Sequence, residues 1–221
     1  MTNTTQGSGT YRKIISKSHK ISDVHNPSKW KAKLGDYQVS TSQLKQARIN
    51  LHSKYLGSDA ADILTRFKLG KTLFGTQLFR CGISDTPFCN TCLRELDEEI
   101  PENITHATYA CDFVAPVVNK VIKTYFPHSE TTFTIPDIIL ATITDKHTLF
   151  TGKTGQLLAS LIWDYFLKYI ITCRNNKKTP IPSICLHEIR SQINRILKIL
   201  PLSDISKHIV ASHTLTSLFN D

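Results

Sequence analysis

The apolar positions of this chain recur at intervals of three and four far more often than in alternation, the pattern of helices packed on a shared core. Ile189, Ile193, Ile196, Leu197 and Leu200 fall on one side of a helix over 183–200 that follows Pro180 and Pro182. Residues 155–174 (GQLLASLIWDYFLKYIITCR) are the most apolar stretch. Asp164 and Lys168 interrupt it, so it reads as a core helix rather than a membrane span. Phe113, Val117, Val118, Val121, Ile122 and Tyr125 place another helix within 112–125. Residues 134–149 are ambiguous, with PDIILAT able to open a helix behind Pro136. Upstream, Ser42 is expected to cap QLKQARINLHSKYL, which closes at Gly57, and Ser58 to cap DAADILTRFKL, with Gly70 just past its end. A third short helix fits TLFGTQLFRC and ends at Gly82, with Ile63, Leu64, Phe67, Leu73, Leu78 and Phe79 as the shared apolar surface. The first ten residues are almost all polar or glycine, and the chain stays basic and polar to about Tyr37. The expected organisation is a flexible basic arm or linker over 1–40, a helical segment over 41–83, a cysteine-bearing knuckle over 84–115 and a helical part over 116–221.

Composition sharpens this picture in two ways. With 40% hydrophobic and 20% charged residues in 221, the chain can bury a core of its own. Its net charge of +9 is unevenly spread. Residues 1–54 carry ten basic and two acidic groups (+8), 55–118 five and nine (−4), and 119–221 twelve and seven (+5). Two basic blocks point to a polyanionic partner, RNA or DNA, although the same charge also serves solubility. The N-terminus has no apolar segment of the secretory kind, so a nuclear or cytoplasmic location is expected, with no membrane partner and six reduced cysteines. Reduced cysteines at short spacing are metal ligands more often than bridges.

The segment FCNTCLRELDEEIPENITHATYAC supplies that spacing. Cys89 and Cys92 form C-x2-C, His106 follows after thirteen residues and Cys111 four later. Three thiolates and an imidazole close a tetrahedral shell, the usual structural zinc set, and leave no open position for catalysis. The expected fold is therefore a helical domain with a small zinc-stapled knuckle between two helical layers. Thr105 is a candidate cap for the helix carrying His106. Five residues turn about 140° off axis in an ideal α-helix, so Cys111 must lie past a bend or the helix must be short. Cys81, Cys173 and Cys185 read as small buried hydrophobes, and His128 and His147 as substitute ligands.

The run LTRFKLGKTLFGTQLFRCGISDTPFCNTC followed by His-x4-Cys resembles the zinc-binding region near the C-terminus of non-LTR (LINE-type) retrotransposon polyproteins. Leu64, Thr65, Arg66, Gly70, Leu78, Arg80, Gly82, Ser84, Asp85 and Pro87 occupy the places of that family's motif. Ile162 and Trp163, leading to Cys173 through Lys177, look similar further on. The resemblance covers roughly 44–200 and is specific around 64–111. It implies an accessory domain that follows a reverse transcriptase and helps engage template RNA or target DNA. The loop between Cys92 and His106 departs from the family's common form in being longer and more acidic. The chain has no Asp-Asp dipeptide of the kind that holds the two metals of a polymerase, so a non-catalytic tail or a free-standing descendant is expected.

Other motifs in the chain fall short of the chemistry they suggest. Gly70–Thr72 and Gly152–Thr154 match the end of a phosphate loop, but Thr65 and His147 stand where its first glycine is required. Asp137, Asp145 and Lys146 resemble a magnesium nuclease site with one residue of spacing missing, and Pro136-Asp137 reads better as a helix start. Arg174, Lys177, Lys178, Arg190 and Arg195 are the expected phosphate contacts. At a helix C-terminus the first three serve equally as dipole partners. Trp30 is expected either to stack on a base or to dock on the domain. The alternative function is a protein-interaction domain that docks on a polymerase core, with zinc purely structural.

Overall fold

The computed structural model describes residue 30, 33–34, 37, 39–51, 53–127, 133–142 and 152–199. Among these the fold is helical, with one isolated antiparallel bridge, Phe88 to Pro101, as the only extended pairing. Its helices are α1 (Thr41–Leu51), α2 (Ser58–Lys68), α3 (Gly75–Arg80), α4 (Asn90–Leu96), α5 (Ala115–Tyr125), α6 (Ile135–Leu140), α7 (Gly152–Asn175) and α8 (Pro182–Leu197). A π-helical turn, His106–Ala110, precedes α5.

Helix α7 is the axle. Every residue from Leu158 to Leu167 is buried, as expected of a helix apolar on all sides. Helices α2 and α8 pack most closely on it, α1 lies against it between α2 and α6, α6 also touches it, and α5 packs on α8. Trp163 sits at the centre, stacked on Phe126 at 5.6 Å and met edge-on by Phe133 and Phe166. No helix among the described residues is long and apolar enough to cross a membrane.

Several helix ends follow from single residues. At α1 the cap is Ser40 rather than Ser42: its Oγ accepts the Gln43 amide at 3.1 Å while Gln43 Oε1 accepts the Ser40 amide at 2.9 Å. A reciprocal box satisfies two orphan donors, which a lone Ser42 hydroxyl cannot do. Helix α1 stops at Leu51, short of Gly57, and Gly57 rather than Ser58 precedes α2. Gly70 (φ 65°) and Gly82 (φ 67°) end α2 and α3 in the left-handed conformation, as the pattern predicts.

Three packing expectations are corrected. Trp30, Leu34 and Val39 are buried, so the packed chain begins upstream of residue 41 and Trp30 docks on the domain; residues 1–29 lie outside the described residues. Leu73, ahead of α3, and Phe79, within it, are exposed, while the N-cap Phe74 and Gly75 are the buried residues there. Cys81 is also exposed, whereas Cys173 and Cys185 are buried. His128, Asp145, Lys146 and His147 lie outside the described residues.

One buried pair had no local signal. Lys68 at the end of α2 is ion-paired with Asp164 in the middle of α7, and neither is more than 4% exposed. Burial raises the Asp164 carboxyl above its ordinary value, against the pull of Lys68.

Candidate metal centre

Cys89 stands at the N-cap of α4 and Cys92 in its first turn, so the helix start turns both sulfurs to one side. An antiparallel clasp fixes that start: the Cys89 amide donates to Ile100 O at 2.8 Å and the Glu102 amide to Pro87 O at 2.9 Å. The clasp returns the chain to the next segment, where Asn103 accepts the His106 amide through Oδ1 at 2.8 Å and the Ala107 amide through its carbonyl. Asn103, not Thr105, therefore caps this segment. The angular gap between His106 and Cys111 is closed by widening the helix. The Cys111 amide donates to His106 O at 3.0 Å, an i to i+5 bond, and Cys111 itself sits extended at the end of that turn. Single π turns of this kind concentrate at functional sites.

The result is a cluster in which one donor atom from each of Cys89, Cys92, His106 and Cys111 lies within 4.8 Å of all the others. Cys92 Sγ is 3.4 Å from His106 Nε2 and 3.5 Å from Cys111 Sγ. All four residues are at most 7% exposed. These residues can hold a metal ion.

The electrostatics show what such a cluster needs. Cys89 is held down at about 3, chiefly by the hydrogen bond from Cys111, against burial and with help from His106 and the amides of Cys92 and Thr91. Burial pushes Cys92 up to about 11. Cys111 is pushed up as well, first by its bond to Cys89 and then by burial. Burial thus opposes ionising all three thiols together. Ionising all three requires a positive ion among them, and its binding releases their protons.

Around the cluster the chain is tied to the end of α7. Glu102, only 4% exposed, accepts from Arg174 Nε at 2.9 Å and Nη2 at 2.8 Å, and from the Gly75 amide at 2.6 Å. The Arg174 guanidinium also lies over the Phe74 ring at 4.9 Å. Arg94 of α4 donates to Lys177 O at 2.9 Å and Thr179 Oγ1 at 2.7 Å. Tyr169 holds the same connection through both backbone groups of Ile181. Nothing local singles Glu102 out from the other acids of the loop between Cys92 and His106, because its partners lie up to 72 positions away.

Of the five expected phosphate contacts, the fold brings Arg174, Lys177 and Lys178 to one cleft, which Cys89, Cys111, Asn90 and Thr91 also line. Arg174 already has its carboxylate there, while Lys177 and Lys178 are exposed. Arg190 lies elsewhere, in a groove with Lys120 and His187. Arg195 lies at Gly57, with Nη2 3.5 Å from the Tyr165 hydroxyl. Asp137 is engaged in structure. Its oxygens accept from the Thr134 amide and hydroxyl, from Gln43 Nε2 and from Thr142 Oγ1, forming the box that opens α6. No family model, curated protein or solved structure matches the chain.

Proposed function

We propose that this chain is a non-catalytic, nucleic-acid-binding accessory module of retrotransposon reverse-transcriptase type, acting in the nucleus or cytoplasm, with one structural zinc ion on Cys89, Cys92, His106 and Cys111. Zinc–sulfur bonds of about 2.3 Å and zinc–nitrogen bonds of about 2.0–2.1 Å give tetrahedral edges of roughly 3.6–3.8 Å. The spacings of 3.5 and 3.4 Å around Cys92 are close to those edges. With four protein donors the shell is full, the arrangement of a structural rather than a catalytic site.

The observation that carries the nucleic-acid reading is Lys177. It ends α7 at φ 53°, a left-handed position where glycine is the ordinary choice. A side chain there costs about 1–2 kcal/mol. Lysine at that position, followed by the exposed Lys178 at the mouth of the metal-centre cleft, supports a role for its charge in gripping phosphate. The test is fluorescence anisotropy of zinc-loaded protein with single-stranded RNA, hairpin RNA and duplex DNA at several salt concentrations. Affinity whose logarithm falls steeply with log salt is expected. Lys177→Gly and Lys178→Ala should each flatten that slope. No binding at low salt refutes the reading.

A second reading, docking on a polymerase core, is supported by the scatter of the basic groups. Arg174 is taken by Glu102, and Arg190 and Arg195 stand apart from Lys177 and Lys178, so the five form no continuous face. Absence of nucleic-acid binding together with retention on an immobilised reverse transcriptase would favour it.

A further inference from the structure

We propose that the groove between α5 and α8 receives the acidic tip of the knuckle from a second copy of this chain, pairing two copies about a two-fold axis. The groove, about 550 Å³, is lined by Lys120 of α5 and by Pro182, Ser183, Leu186, His187 and Arg190 of α8. Its floor is apolar, its rim carries two cations and an imidazole, and no acidic residue lines it. Neither Lys120 nor Arg190 has a carboxylate partner among the described residues.

The tip has the complementary character. Glu95, Leu96, Asp97, Glu98 and Glu99 are all exposed, with Leu96 at 43%. Asp97, at φ 56°, turns the chain, and the clasp at Cys89 holds the base of the loop. Glu95 is engaged with Arg94 and Thr179, but Asp97, Glu98 and Glu99 make no ion pair among the described residues. An exposed leucine beside carboxylates without an ion pair matches an apolar floor between cations without a carboxylate partner.

The two surfaces are neighbours. Thr179 Oγ1 donates to Glu95 Oε1 at 3.2 Å, and the groove begins three residues further on at Pro182. Adjacent complementary surfaces favour a closed pair, in which each tip enters the other copy's groove and every contact is made twice. Doubling is needed, since stable interfaces bury about 1,200 Å² or more in total. A pair held this way is steered by charge and weakened by salt.

The test is sedimentation velocity of the metal-loaded full chain. Pairing that grows with concentration at roughly 50 mM salt and is lost at roughly 500 mM is expected from screening. Arg190→Glu and Glu98→Lys should each weaken pairing at least about tenfold, and an equimolar mixture of the two variants should restore it, because both tip–groove contacts then regain opposite charges. Lys120→Glu, at an exposed position, replaces Arg190→Glu if that variant loses its metal or its helical circular dichroism. A chain that stays monomeric at low salt overturns the proposal, as does pairing indifferent to both reversals. A monomer that binds single-stranded RNA and loses that binding on Arg190→Glu assigns the groove to nucleic acid and overturns it equally.

Discussion

Substituting Gly75 by alanine probes the node that joins the metal centre to the rest of the fold. A Cβ built there lies 2.8 Å from Pro87 O and 2.9 Å from Glu102 Cβ, and 3.1 Å from Glu102 Oε2. Two of those atoms belong to the clasp that sets Cys89, and neither is the end of a flexible side chain. On helix propensity alone the change would stabilise by about 0.5–1 kcal/mol. Overpacking a rigid contact costs about 1–3 kcal/mol. Displacing the carboxylate weakens its 2.6 Å bond to the Gly75 amide, a hydrogen bond to a charged group worth about 1.5–3 kcal/mol. The net expectation is a loss of about 2–4 kcal/mol, and at about 2–4 °C per kcal/mol a clear fall in melting temperature. Urea denaturation of metal-loaded protein gives the first number, and competition with a chromophoric chelator shows whether the centre loosens with it. Gly82→Ala is the control. Nothing lies within 4 Å of its Cβ, so only the φ of 67° opposes it, at about 1–2 kcal/mol. If Gly75→Ala is as stable as the parent, or no worse than Gly82→Ala, the clasp does not carry the centre and the reasoning fails.

Cys89→Ser should abolish stoichiometric metal by mass spectrometry and broaden the melting transition, and a variant that keeps both would remove the cluster as a metal site. Lys177→Gly should raise stability by about 1 kcal/mol in urea, through release of left-handed strain, while lowering nucleic-acid affinity. Lys68→Met should cost about 3–5 kcal/mol by stranding the Asp164 charge, and adding Asp164→Leu should recover most of it. The double variant settles that case, since a deficit as large as that of Lys68→Met alone would mean that packing, not charge, is at stake.

What could be read from the sequence was local. The helices over 112–125, 155–174 and 183–200 appear as α5, α7 and α8 because their apolar spacing specifies one face or, in α7, all faces. The C-x2-C…His-x4-Cys pattern names four residues that the fold gathers, because each step between them is short. The 140° mismatch between His106 and Cys111 was legible as a problem. Its solution, a widened turn, was not, since it depends on where the Asn103 cap and the clasp start the segment. Long-range pairs left no trace. Glu102 reads as one more acid of the loop until Arg174 meets it, and Asp164 as an interruption of α7 until Lys68 does. The outward aspect of Phe79 was equally hidden, because α3 is too short for periodicity to define a face, and Leu73 lies before that helix altogether.

The two ties at the knuckle also differ in how much chain each must gather. Metal ligation would join residues from Cys89 to Cys111, whereas the Glu102–Arg174 pair spans 72 positions. Loop-closure entropy grows as the logarithm of length, so the longer closure costs about 1 kcal/mol more. A metal-bound loop would thus be the cheaper one to form first, and once formed it would present Glu102 already fixed for Arg174 to find. The ion would then act on the rate of folding as well as its end point: refolding with metal present should outpace refolding in chelator, and helix α7 should gain its last turn in the slower phase.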